Sequence, residues 1–252
     1  MKLTLCTVQF HRGSGNPEIN IEKMSGLLEN IGSPADIILL PEGWLGPQIL
    51  EHRHYMLMLE ELKKLLPPGA LLVSGAHYVR CREGVISTGA FLNGAETTHY
   101  DKIFPSHAIG ERNIILPGTR QPLFVHRGIT VAAVVCVDLF YPEIVRRLAL
   151  RGAAVIFNPA NIPAVRMGLW HNIGITRAAE NTVFLAMANN TGTRYPDGRE
   201  VKGKSFIAGP EGAFFRDCGD LPGVYFTEID LQLIEKARER WKYLADVQSL
   251  HR

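Results

Sequence analysis

The chain lacks a charge imbalance, a cysteine framework and a long apolar run, and each absence argues against a class of protein. Lys and Arg number 27 against 25 Asp and Glu, so the formal net charge is only +2. A dedicated nucleic-acid or membrane-surface binder normally shows a basic stripe. Here the densest basic stretch, Lys236 to Lys242, is interleaved with Glu. The four cysteines (Cys6, Cys81, Cys136, Cys218) lie far apart with no CxxC pair. That spacing offers no disulfide framework and points to a reduced, cytoplasmic protein. The start, MKLTLCTVQF, runs straight into a strand pattern, so no secretory leader is expected. No segment reaches the roughly 20 uninterrupted apolar residues of a membrane span.

What is present is an ordinary globular balance: 252 residues, 46% hydrophobic and 21% charged. A chain of this size can bury a substantial core without metals or disulfides. LTLCTVQF predicts a first strand, and Ile21, Met24, Leu27, Leu28 and Ile31 then recur at helical spacing. ADIILLPE reads as a buried strand closed by proline, and a helix over about Tyr55 to Leu66 stops at Pro67-Pro68-Gly69. LLVSGAHYVR, STGAFLNGAETTHYDKIF and LFVHRGITVAAVVCV continue as strands, with an Asn93-Gly94 turn. VIFNPAN, NTVFLAMANNTG, KGKSFIAGPEGAFF and GVYFTEID add further strands before a polar helix from about Leu231. Parallel-type βαβ order mixed with tight hairpins predicts an α/β sandwich, sheets inside and helices outside. No linker or repeat interrupts the chain, so residues 1–252 are read as one domain.

Two local patterns are weaker than they look. HRGSGNPE after a strand resembles a dinucleotide-binding turn, but Glu18 stands where a third glycine is needed. His52 and His54 flank one residue, and residues two apart on a helix point away from each other. No other Cys or His cluster completes a metal-binding set, so neither cofactor nor metal is expected.

Three ionisable residues occupy comparable places. TVAAVVCVDLFYPE ends a core strand at Cys136, and Pro142 can open a helix a few residues on. The backbone must turn just past the thiol, which frees N–H groups, beginning with Val137, to face an oxyanion. A thiol used as a nucleophile needs a base or cation beside it. ADIILLPEGW ends its strand with Glu42, and THYDKIFP carries Lys102 just before a proline. Each residue alone is ordinary; a carboxylate, an ammonium and a thiol at strand ends of one domain form a more specific set.

These residues resemble the nitrilase superfamily of carbon–nitrogen hydrolases. LLPEGW at Glu42, YDKIFP at Lys102 and CVDLFYPE at Cys136 match its three motifs in order. Glu111 in GERNIILPG resembles the family's second glutamate. RAAENTVFLAMANNTG, KGKSFIAGPEG, Gln9 and Asn20 extend the likeness over essentially the whole chain. Val137 and Phe140 depart from it, since many members have Tyr or Trp at the first position and Arg or another polar residue at the second.

The resemblance implies a four-layer αββα sandwich with its active site where strand ends meet. It implies a Glu42–Lys102–Cys136 triad that cleaves a small-molecule amide through a thioester. Glu42 would act as base, and Lys102 with the Val137 N–H would hold the oxyanion. Glu111 would orient Lys102 or the substrate, or serve as a structural ion-pair partner. Trp44, Phe140 and Asn161 are expected to line the pocket. A nitrile or an N-carbamoyl compound would suit the same triad, and a non-catalytic binding subunit would normally lack a triad member. A papain-like hydrolase would need a histidine partner, and none of the nine histidines lies in a recognisable motif. The resemblance further implies a homodimer or higher homo-oligomer through the helix PEIVRRLALRG, with Leu148 at the contact, and the helix after it.

Overall fold

A computed structural model describes residues 1–13, 15–31 and 35–250. Ser14 of the HRGSGNPE turn lies outside the described residues. The first half runs β1 (Lys2–His11), α1 (Pro17–Glu29), β2 (Ile37–Leu39), β3 (Leu50–Glu51), α2 (His52–Lys64) and β4 (Leu71–Val73). It continues through β5 (His77–Cys81), β6 (Gly84–Leu92), β7 (Thr97–Asp101), β8 (Phe124–His126) and β9 (Ile129–Ala133). Then follow α3 (Pro142–Leu150), β10 (Val155–Pro159), α4 (Met167–Asn181), β11 (Phe184–Ala188) and β12 (Asn190–Arg194). The chain closes with β13 (Glu200–Lys202), β14 (Phe206–Ala208), β15 (Phe215–Asp217), β16 (Gly223–Asp230), α5 (Gln232–Trp241) and α6 (Tyr243–Ser249).

The strands form two sheets. One has ten strands in the path β13-β12-β1-β2-β4-β6-β5-β3, with β16 on β1 and β7 on β6; the other has six, β15-β14-β11-β10-β9-β8. Alternation of side chains along a strand explains the layering. Leu3, Leu5, Ile37, Leu39, Leu71 and Val73 face inward and share a core with Val131, Ala133, Val155 and Phe157 of the smaller sheet. The intervening Cys6, Val8, Ile38 and Leu72 face outward, where they meet Met24 and Leu28 of α1 and Tyr55, Leu59 and Leu62 of α2. Helices α3 and α4 cover the other sheet, which completes the αββα order. Among the described residues no helix is long and apolar enough to cross a membrane.

Three expectations need correction. LLVSGAHYVR is two strands, because Gly75 takes a positive φ of 80° and redirects the chain from β4 into β5. NTVFLAMANNTG is also two: β11 belongs to the small sheet, β12 to the large one, and only Asn189 separates them. The third concerns α3. Its Ile144, Val145, Leu148 and Ala149 are all buried within the protomer, against the small sheet, and α6 lies against α3 and α4. Leu148 is therefore a core residue, not a surface one.

Candidate active site

Each of the three strand-end residues is held by its own set of backbone contacts. Glu42 follows β2, and its N–H donates to the Ala160 carbonyl (3.2 Å), at the end of β10 in the opposite sheet. Its own carbonyl accepts from Asn190 Nδ2 (2.7 Å), and Asn20 Nδ2 secures the loop at the Leu45 carbonyl (2.9 Å). Lys102 directly follows β7 and donates its N–H to the Ser87 carbonyl (2.9 Å). Asp101 beside it is clamped by Arg120, whose Nη2 lies 2.7 Å from Oδ1.

Cys136 opens a tight 3-10 turn over Cys136–Phe140 and has φ of 48°, a left-handed conformation rare outside glycine. Such backbone persists only where its surroundings over-determine it. Here Asn158 Nδ2 donates to the Val134 (2.8 Å) and Cys136 (3.1 Å) carbonyls. Arg177 of the RAAEN segment donates to the Leu139 (3.1 Å) and Phe140 (3.2 Å) carbonyls. Asp138 accepts from the N–H groups of Ile103 (2.8 Å) and Phe104 (2.9 Å), which ties the thiol's turn to the segment after Lys102. Pro142 takes the first helical position of α3, as its fixed φ favours.

The three residues meet. Lys102 Nζ lies 2.9 Å from Glu42 Oε1 and 2.7 Å from Glu111 Oε2, and the lysine is fully buried. Glu111 also accepts from the Tyr78 hydroxyl (2.7 Å) and the Ser106 N–H (2.6 Å). The buried Cys136 thiol shares its electrostatic surroundings with Glu42, Lys102 and Glu111. Burial and the neighbouring Glu42 charge push the Cys136 thiol well above its ordinary value. Burial likewise raises Glu42, although Lys102 pulls against it. For Lys102 burial favours the neutral amine, but Glu42, Cys136 and Glu111 outweigh it and hold the ammonium well above its usual range. The resting arrangement is therefore a protonated thiol beside a carboxylate that can take its proton.

Of the remaining expected residues, Val137 is half-buried, and its N–H meets no backbone acceptor among the described residues. Asn161 Oδ1 accepts from Asn190 Nδ2 (2.9 Å). Phe140 packs on Trp170 of α4 with ring centroids 4.6 Å apart, forming an apolar wall. Trp44 is not brought to the thiol. It is fully buried between Phe10 and His77 under α1 and α2, with Nε1 donating to the Ser74 carbonyl (3.0 Å). Gly43, at φ 61°, turns the chain so that Glu42 and Trp44 serve different layers.

Sequence reading missed Tyr78, Arg12, Asn190 and Tyr195. Tyr195 donates its hydroxyl to the Asn161 carbonyl, and the charges of the site act on it. No local signal marks these residues; the Asn-Asn pair ending LAMANN was the one available hint. Among the described residues no cluster of three or more His, Cys, Asp or Glu is placed to hold a metal ion. His52 and His54 are exposed at the start of α2. A cavity of about 410 Å³ lined by Tyr55, Val79, His99 and Arg120 contains neither the thiol nor its partners.

The sequence pattern of the carbon-nitrogen hydrolase family matches residues 4–239. The chain is 30% identical to the 2-oxoglutaramate amidase of Bacillus subtilis, across 98% of both chains. It is 27% identical to an (R)-stereoselective amidase from a Pseudomonas species, across 98% of this chain and 91% of that one. Its fold superposes with a TM-score of 0.88 on a CN-hydrolase superfamily protein from Xanthomonas campestris, at 20% identity over 98% of this chain and 97% of that one. The two-sheet architecture and the match along nearly the whole sequence lead to one conclusion: the chain belongs to the carbon-nitrogen hydrolase family.

Proposed function

We propose that the protein is one catalytic domain that hydrolyses a small-molecule amide to an acid and ammonia, with Cys136 as nucleophile. The observation that carries this reading is the buried Glu42–Lys102 ion pair with the buried Cys136 thiol in its field, at the ends of β2, β7 and β9. Family membership and the names of two relatives, both amidases, support it.

Glu42 takes the Cys136 proton as sulfur attacks the amide carbon. The oxyanion that forms meets the Lys102 ammonium and the Val137 N–H, donors already in place before the reaction. Glu42 passes the proton to the departing nitrogen, ammonia leaves, and a thioester remains. Water then gives a proton to Glu42 and attacks the thioester carbon. The acid departs and the thiolate regains its proton. Because burial raises Glu42, it exchanges protons nearer neutral pH than an exposed carboxylate would. Lys102 stays charged throughout, since Glu111 remains beside it while Glu42 carries the proton.

Ammonia release from primary amides, nitriles and N-carbamoyl compounds tests the reading. The wild-type protein is expected to favour amides and Cys136→Ala to lose the activity with its circular dichroism unchanged. Near-wild-type ammonia release by that variant would end the proposal.

A further inference from the structure

The cavity beside α2 lies on the back of the sheet that carries Lys102. Side chains alternate along a strand, so residues next to each other in sequence face opposite sides. Val79 pairs with Ile86, and Thr88 with Asp101, in the register of β5, β6 and β7. These four and His99 line the cavity, together with Tyr55 of α2. Tyr78 and Lys102, one residue along from Val79 and Asp101, face the other way and meet Glu111. A single sheet therefore separates the cavity from the catalytic lysine.

One wall of the cavity is also sewn to that lysine. The Gly118 N–H donates to the Lys102 carbonyl and the Asp101 N–H to the Arg120 carbonyl (both 2.9 Å). The Asp101 carboxylate accepts from the N–H groups of Thr119 (3.2 Å) and Arg120 (3.0 Å) as well as from the Arg120 guanidinium. Only glycine allows this approach at 118, where a Cβ would stand 2.2 Å from Asp101 Cβ and 2.6 Å from the Lys102 carbonyl oxygen. Whatever bears on residues 118–120 bears on Lys102.

The lining selects a ligand. About 410 Å³ is room for a small organic molecule, and Tyr55, Val79, Ile86, Leu116 and Pro117 give it apolar sides. Arg120 spends hydrogen bonds in the guanidinium plane on Asp101 and on Thr88 Oγ1 (3.1 Å), while its side chain stays 45% exposed. Bonds in that plane leave its faces for a stacking aromatic ring. His99 Nδ1 is buried with no hydrogen-bond partner among the described residues. Burial and the Arg120 charge hold this imidazole below its ordinary range, so it is neutral at pH 7. A hydroxyl both donates and accepts, and so satisfies Nδ1 in either tautomer. We infer that the cavity is an effector site for a small planar aromatic compound bearing a hydroxyl group, whose binding steadies Lys102 through residues 118–120. The thiol, Glu42, Lys102 and Glu111 are absent from its lining, which sets it apart from the substrate's place.

The pair 2-naphthol and naphthalene, which differ by the hydroxyl alone, tests the inference without any turnover. Cys81 lines the cavity and Cys218, also partly exposed, does not, so iodoacetamide labelling with peptide mapping reads occupancy against an internal control. Saturable protection of Cys81 by 2-naphthol, with Cys218 unprotected, is expected. His99→Phe keeps a ring and removes the nitrogens; it should weaken 2-naphthol roughly 3- to 10-fold, the usual worth of one hydrogen bond, and leave naphthalene unchanged. Ile86→Trp, which fills the cavity, should abolish protection. Hydrogen exchange reads the coupling: at about ten times its Kd, 2-naphthol should slow the Lys102 and Gly118 amides about tenfold, as for any ligand that binds only the closed form. Unprotected Cys81, equal affinity for the two probes, or undiminished 2-naphthol binding in His99→Phe overturns the site. Protection of Cys81 with exchange at Lys102 and Gly118 unmoved overturns the link to the lysine.

Discussion

Replacing Glu111 by Gln removes one charge from the centre of the site and almost no volume. Three donors converge on that carboxylate: Lys102 Nζ at 2.7 Å, the Tyr78 hydroxyl at 2.7 Å and the Ser106 N–H at 2.6 Å. The amide has a single acceptor oxygen, and its NH₂ must face at least one of them. Losing a hydrogen bond to a charged group costs about 1.5–3 kcal/mol, and a buried donor left unmet about 1–3 more. Lys102 keeps Glu42 as a partner at 2.9 Å, so its charge is not stranded. The expected loss is therefore about 2–5 kcal/mol in urea denaturation, below the sum of the separate terms because Tyr78 can turn its hydroxyl to accept. A displaced Lys102 should also lower kcat by about 100-fold, the usual effect of a catalytic group moved by about 1 Å. The pH profile separates orientation from packing. Glu111's negative charge adds to the burial that raises Glu42, so removing it stabilises ionised Glu42. The acid limb of kcat/KM should then move to lower pH. Wild-type stability and kcat in Glu111→Gln would refute the reasoning. A stability loss with the acid limb unmoved would confine Glu111 to packing.

Asp138→Ala leaves the Ile103 and Phe104 N–H groups without their acceptor and should cost about 2–6 kcal/mol in denaturant melts. Burial raises Asp138 from 3.8 to about 7, partly offset by those same N–H groups, so the folded protein holds a proton that the unfolded chain gives up. Its contribution to stability thus declines as pH rises through that window, and the wild-type advantage over the alanine variant should be larger at about pH 5 than at about pH 8. The homodimer expected from the sequence cannot use the buried Leu148; the exposed apolar residues near α4 are Val165 and Leu169. Light scattering over a dilution series should return twice the chain mass, with Leu169→Glu shifting the protein towards monomer, and a single-chain mass at every concentration would refute assembly.

The sequence made Glu42, Lys102 and Cys136 legible because each ends a local pattern of apolar strand residues, and Pro41, Pro105 and Pro142 mark where the backbone must turn. Their meeting was legible through the resemblance alone, since 60 residues separate Glu42 from Lys102. Arg12, Tyr78, Asn190 and Tyr195 stayed hidden because each reaches the site from a different segment and carries no local pattern. Trp44 was misplaced for a different reason: nearness in sequence to Glu42 suggested nearness in space, and the positive φ of Gly43 reverses that. The helix α3 misled through composition. Ile144, Val145, Leu148 and Ala149 looked like more than one face needs, yet a helix pressed onto a sheet and flanked by α6 buries all four.

The single residue between β11 and β12 bears on how this protein should fail. Asn189 is where the chain leaves one sheet for the other, and its side chain is fixed at both ends: Oδ1 accepts from the Ile162 N–H (2.8 Å), while Nδ2 donates to the Gly203 carbonyl (2.7 Å). Glu42 hangs from Ala160 on one sheet and Asn190 on the other. The layers therefore cannot slip past each other without dragging the base away from the thiol. Turnover acts as a strain gauge for the sandwich: on gentle heating, or after small core substitutions far from Cys136, activity should decay while the sheets still give their native spectrum.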